Sequence, residues 1–303
     1  MQILVLYTLI GAAAQLVGGS LGMGYGITST TLLLAAGTAP AVASASVHFA
    51  QVGTSLVSGL AHWKFRNIDW KVVTRIAGPG AVGAVIGAFL LSSLSTEAAA
   101  PWMATLLVAL GCYVIIRFSF RNVTEKLTKP RPGMRFLGPV GLIAGFVDST
   151  GGGGWGPVAT TSLLASGRLE PRKVIGSVAT AEFVVTLAAS LGFLVALGSS
   201  GLSLPTIVGL LVGGAIVAPF AAWLVRILPP RILGTAAGGL IVFTNAGTLM
   251  SVLGLDTPST LGGYLAIVVG WAAALIVAIR SVLAERAAKA AAQKAETEPA
   301  EAR

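Results

Sequence analysis

Two glycine-rich stretches interrupt long apolar runs at corresponding places in the two halves of the chain: Gly22-Met23-Gly24-Tyr25-Gly26 and Gly151-Gly152-Gly153-Gly154-Trp155-Gly156. Irregular backbone survives in hydrocarbon only where protein buries it or where it lines a cavity, because each unpaired N–H or C=O costs several kcal/mol there. The flanking runs put these loops in that setting. Hydrophobic residues make up 55% of the chain and charged residues 10%, with a mean hydropathy of +0.86, against about 25% charged in an ordinary soluble domain. A polytopic membrane protein follows, and the two loops are its candidate working parts.

Gly, Pro and charge punctuation divides the chain into eleven apolar segments, at 2–18, 27–37, 40–63, 70–93, 100–119, 134–149, 157–167, 171–197, 203–226, 231–254 and 259–283. Four are too short to span. About 11 residues cover roughly 16 Å, half of a ~30 Å hydrocarbon core, so 2–18 with 27–37 and 134–149 with 157–167 read as two hairpins of short helices. The first run has no basic residues before it and a counterpart in the second half, so it reads as part of the fold and not as a signal peptide.

The halves repeat. At an offset of 130, Gly22 to Gly37 and Gly152 to Gly167 match at nine of sixteen positions, and one inserted residue later Pro40 pairs with Pro171 and Gln51 with Glu182. Each copy holds five segments; an odd number reverses the second copy in the membrane, giving inverted repeats. The predicted organisation is a first repeat at 1–120, a basic cytoplasmic linker at 121–133, a second, inverted repeat at 134–256, one extra helix at 257–284 and a polar cytoplasmic tail at 285–303. With the loop at 64–70 cytoplasmic, alternation places all 20 Lys and Arg on that side and none in the opposite loops, which predicts an outside N-terminus and a cytoplasmic C-terminus. This distribution also removes nucleic acid as the reason for the net charge of +9. The lone Cys112 excludes an intrachain disulfide and any multi-cysteine metal site. The spacings Gly83-xxx-Gly87, Gly209-xxx-Gly213 and Gly234-xxx-Gly238 allow close helix approach, internally or across a homodimer.

A helix that starts after a glycine turn presents unpaired N–H groups and the positive end of its dipole, an anion site that needs no Lys or Arg. Starts near Ile27 and Pro157 supply two. The expected substrate ligands are the amides of Gly22, Gly24, Gly26, Gly152, Gly153, Gly154 and Gly156, the hydroxyls of Thr30, Thr31, Thr160 and Thr161, and Gln51. Ser44, His48, Gln51, Ser55 and Ser58 share one helix face, which predicts a wet cavity. Asp148 and Glu182 are the acids deep in the spans, and with His48 they are candidates for proton coupling. The alternatives are that Asp148 caps its turn, that Glu182 bonds a neighbouring helix and that His48 is a hydrogen-bonded core histidine. Tyr25 and Trp155 occupy equivalent positions and either gate the cavity or wedge the turns. No metal, cofactor or enzymatic constellation is expected.

The duplicated glycine hairpins and the basic mid-chain linker resemble the TauE/SafE family of sulfite exporters over about residues 5 to 280, with Gly18 to Gly26 and Asp148 to Pro157 matching the family's glycine-rich segments. The resemblance implies an all-α carrier in the bacterial inner membrane that exports a small sulfur oxyanion, most simply sulfite, by alternating access. Its partners would be that anion and the lipid bilayer. A carrier of a sulfonate or carboxylate and an anion channel are the alternatives.

Overall fold

The computed structural model describes residues 2–21, 23–120, 131–227 and 229–301, all of whose regular structure is helical. The helices are α1 (Gln2–Leu21), α2 (Tyr25–Ala35), α3 (Pro40–Lys64), α4 (Trp70–Ser93), α5 (Thr96–Phe120), α6 (Met134–Gly151), α7 (Thr161–Ala165), α8 (Pro171–Leu197), α9 (Leu204–Ile227), α10 (Pro230–Val252) and α11 (Thr257–Glu301). A π turn, Gly156–Thr160, leads into α7. Gly22 and most of the expected basic linker, residues 121–130, lie outside the described residues.

Local chemistry sets the starts. Pro40, Pro171 and Pro230 each open a helix, where the missing N–H costs nothing and φ is already helical. Asp69 caps α4 by accepting the Lys71 N–H at 3.1 Å, and Asp256 does the same for α11 through the Ser259 N–H at 3.1 Å. Among the described residues six helices are long and apolar enough to cross a membrane: α4, α5, α8, α9, α10 and the first part of α11. At 25 residues α3 has the length, about 37 Å, but its polar inner face lowers its hydropathy.

Two expectations about length are corrected. α1 does not stop at Gly18 but runs 20 residues to Leu21, about 30 Å, and Gly18 serves close packing: a Cβ there would lie 2.6 Å from the Tyr25 Cβ. The expected short helix at 157–167 is divided into the π turn and α7. The last helix runs on to Glu301 through the polar tail, whose Ala, Glu and Lys residues are strong helix formers.

The packing is paired. α1 lies on α9 and α6 lies on α4, α5 packs against α10, α3 against α8, and α11 rests on α10. The glycine spacings work inside the chain. A Cβ on Gly87 would lie 2.8 Å from the Phe146 carbonyl oxygen, one on Gly209 2.7 Å from the Tyr7 Cβ, and one on Gly238 2.8 Å from the Gly111 carbonyl oxygen. Trp271 secures α11 by donating from Nε1 to the Thr235 carbonyl at 3.1 Å.

Candidate functional site

The two glycine loops touch. A Cβ on Gly26 would stand 2.6 Å from the Gly153 Cα and 3.0 Å from the Gly152 carbonyl oxygen, so the backbones meet at a distance no side chain permits. Gly153 has φ +146° and Gly24 φ +96°, conformations that glycine adopts freely. Thr30 fastens the junction by donating to the Gly152 carbonyl at 2.6 Å.

Beside this junction lies a cavity of about 280 Å³ between α3 and α8. Gly24, Tyr25, Gly26 and Gly153 form its inner end, Gln51, Thr54, Ser55 and Glu182 its middle, and Ser58, His62 and Ile175 the part nearest the ends of α3 and α8 that carry Lys64 and Lys173. Among the described residues no Lys or Arg lines it. Gln51 Nε2 donates to Glu182 Oε1 at 3.2 Å, joining the two residues that correspond across the repeat.

Next to the junction lies a buried hydrogen-bonded layer, of which Asp148 also lines the cavity. Asp148 Oδ1 accepts the Gly154 and Trp155 N–H groups at 2.7 and 2.9 Å, and its Oδ2 lies 3.2 Å from His48 Nε2. His48 Nδ1 lies 2.8 Å from the Ser44 carbonyl oxygen; a carbonyl can only accept, so Nδ1 carries a hydrogen. A bond between Nε2 and Asp148 therefore holds one further proton shared by the pair. Ser44 donates to the Ser149 carbonyl at 2.6 Å, and Asn245 donates to the Thr31 hydroxyl at 3.0 Å. Trp155 is fully buried, its Nε1 donating to the Val178 carbonyl at 3.0 Å. The Tyr25 hydroxyl donates to the Leu210 carbonyl at 3.2 Å.

Asp148 occupies the N–H groups of Gly154 and Trp155, just before the second helix start, and neither start has a side-chain cap of its own. At the repeat offset the position of Asp148 is Gly18, which has no carboxylate to offer. The anion-binding potential of a bare helix start is present at both, since Gly24 and Gly26 of the first and Gly156, Pro157 and Thr160 of the second line the cavity.

The sequence profile of the sulfite exporter TauE/SafE family matches residues 7–248. The chain belongs to the TauE/SafE family. It is also 47% identical over 253 residues to the probable membrane transporter protein YtnM of Bacillus subtilis (strain 168), covering 83% of this chain and 84% of that one. No solved structure matches it. The chain is accordingly a multi-pass membrane transporter and not an enzyme.

Of the residues singled out in this TauE/SafE chain, Gly24, Tyr25, Gly26, Gln51, Asp148, Gly153, Gly156, Thr160 and Glu182 line the cavity. Gly152, Gly154, Thr30, Thr31, Thr161, His48 and Trp155 do not. Thr30 and Thr31 are engaged as described, and the Thr161 hydroxyl bonds the Pro157 carbonyl of its own turn. Their hydroxyls take part in the protein's own hydrogen bonding. Gln15, Met23 and Thr54 line the cavity without having been singled out; only the assembled helices bring them there.

The Asp148 pair carries a stability prediction. Breaking one partner of a buried pair leaves the other uncompensated, so Asp148→Asn is expected to lower stability by about 3 kcal/mol, read as a fall in melting temperature of the detergent-purified protein. His48→Gln should reproduce most of that fall, and the double variant should not show the sum.

Proposed function

We propose that this transporter carries a small sulfur oxyanion, sulfite in the simplest case, out of the cell by alternating access with proton coupling. The observation that carries the reading is a polar cavity lined, among the described residues, by no Lys or Arg, ending on the starts of α2 and of the π turn, neither with a side-chain cap, and flanked by Glu182. The α2 amides, Gly153, Gly156, Thr160 and Gln51 are the proposed anion ligands. Asp148 and His48 complete the proton pathway below the second loop, and Tyr25, which lines the cavity, is the gating aromatic.

Two inverted repeats account for this arrangement. The pairing of α1 with α9 and of α6 with α4, and of α5 with α10 and α3 with α8, is the pattern that exchange of the two halves would leave unchanged. In this reading the N-terminus is outside and the C-terminus in the cytoplasm. The cavity then faces the cytoplasm, and the His48, Asp148 and Ser44 layer closes the outer side. Rocking one repeat against the other would open that layer and close the mouth at Ser58 and His62.

The charge balance selects the form carried. An anion about 5 Å from an ionised carboxylate is repelled by about 3 kcal/mol at an effective dielectric near 20, so a proton must enter with it, on Glu182 or on the anion. The cavity volume favours one further reading: about 280 Å³ is room for roughly nine waters, enough for an organic sulfonate or carboxylate.

Binding of sulfite, sulfate, thiosulfate, taurine and acetate to purified protein at two pH values separates these readings. Selective sulfite binding that strengthens at the lower pH is the expected result. Preference for taurine or acetate would transfer the reading to the larger anions, and binding of none of them would overturn it.

A further inference from the structure

We propose that an anionic phospholipid binds between α3, α4 and α8, its headgroup in a basic pocket and an acyl chain in a groove that leads toward the central cavity. The turn from α3 to α4 places Lys64, Arg66, Trp63 and Trp70 together, and Lys173 at the start of α8 completes a pocket of about 650 Å³. Trp70 begins one candidate membrane span and Lys173 lies in the first turn of another, so the pocket sits where membrane meets water.

The charges are available. Lys173 Nζ is engaged, donating to the Arg66 and Ile68 carbonyls at 2.7 and 3.1 Å, which holds the turn in shape. Lys64 and Arg66 are exposed and form no ion pair among the described residues, while the nearest acid, Asp69, is buried and pairs with Arg131 at 3.3 Å. Two free cations and a third fixed one, with two exposed tryptophans, suit the phosphate of an interfacial headgroup.

The apolar part decides between a lipid and a free phosphate. A second, almost wholly apolar depression shares Leu60, Trp63 and Trp70 with the basic pocket and continues along Leu56, Gly59 and Phe183 to Ser55. Gly59 lines it beside Thr180, whose Cα lies 3.6 Å from where a Gly59 Cβ would stand. Ser55 also lines the central cavity. A soluble phosphate has no use for this groove; an acyl chain fills it, and its tip reaches the wall of the transport cavity.

Tryptophan quenching by lipids brominated on the acyl chain tests the site, the relevant signal being the part lost in Trp63→Phe/Trp70→Phe. Brominated phosphatidylglycerol should quench at about 25-fold lower concentration than brominated phosphatidylcholine, about fivefold for each of the two free cations. In Lys64→Gln/Arg66→Gln, whose exposed side chains carry no packing, that preference should vanish while quenching by phosphatidylcholine is unchanged. Glycerol phosphate at millimolar concentration should not displace the lipid. Equal quenching by the two lipids, a preference that survives in the double variant, or displacement by glycerol phosphate would each overturn the proposal.

Discussion

Gly153→Ala is expected to abolish anion binding and to lower the melting temperature by several degrees. The residue has φ +146°, where a side chain costs of order 1–3 kcal/mol by itself. The added methyl group would also run into the backbone of Gly26 and Ile27, and backbone cannot step aside as a side chain can. Relief requires the two loops to separate, which carries the start of α2 away from Gly153 and opens the end of the cavity. Gly37→Ala is the control, because Gly37 also has positive φ, +84°, but nothing lies within 4 Å of its added Cβ. It should cost about 1–2 kcal/mol and leave anion binding intact. Unchanged binding in Gly153→Ala would mean that contact between the loops is not what builds the site.

Glu182→Gln should remove the pH dependence of anion binding and stop proton-driven flux in proteoliposomes. The carboxylate lines the cavity and accepts a hydrogen bond from Gln51, and among the described residues no Lys or Arg in the lining balances it. Glutamine keeps the size and the hydrogen bond and removes the charge. At the higher pH, where repulsion by an ionised carboxylate is greatest, the variant should bind the anion about 100-fold more tightly than the native chain if the site lies about 5 Å away. Exchange of anion for anion should persist. Flux driven by a proton gradient that survives in Glu182→Gln would assign coupling to the anion's own proton or to the His48 and Asp148 pair.

The membrane class, the helix boundaries at Pro40 and Pro171, and the glycine turns were legible in the sequence, because each depends on neighbours along the chain: apolar run length, a proline at a helix start, glycine where a turn is needed. Gln51 and Glu182 were also legible, as equivalent polar positions in a repeat, and they meet at 3.2 Å. The threonines were harder. Thr30, Thr31, Thr160 and Thr161 are duplicated alike, yet only Thr160 reaches the cavity. A hydroxyl one residue further round a helix faces a different neighbour, and that neighbour belongs to another part of the chain.

What the sequence by itself determined is therefore the set of elements and the chemistry that they hold: apolar helices, two glycine breaks, and the acids Asp148 and Glu182 within apolar runs. What only the tertiary structure decided is that the two glycine loops meet and that both helix starts line one cavity. Asp148 folds back onto the amides of Gly154 and Trp155, and the first loop has Gly18 in its place. Contacts between Gly26 and Gly153, or between His48 and Asp148, join residues more than 90 positions apart. Such contacts depend on helix crossings set by packing, and no local pattern in the chain encodes them.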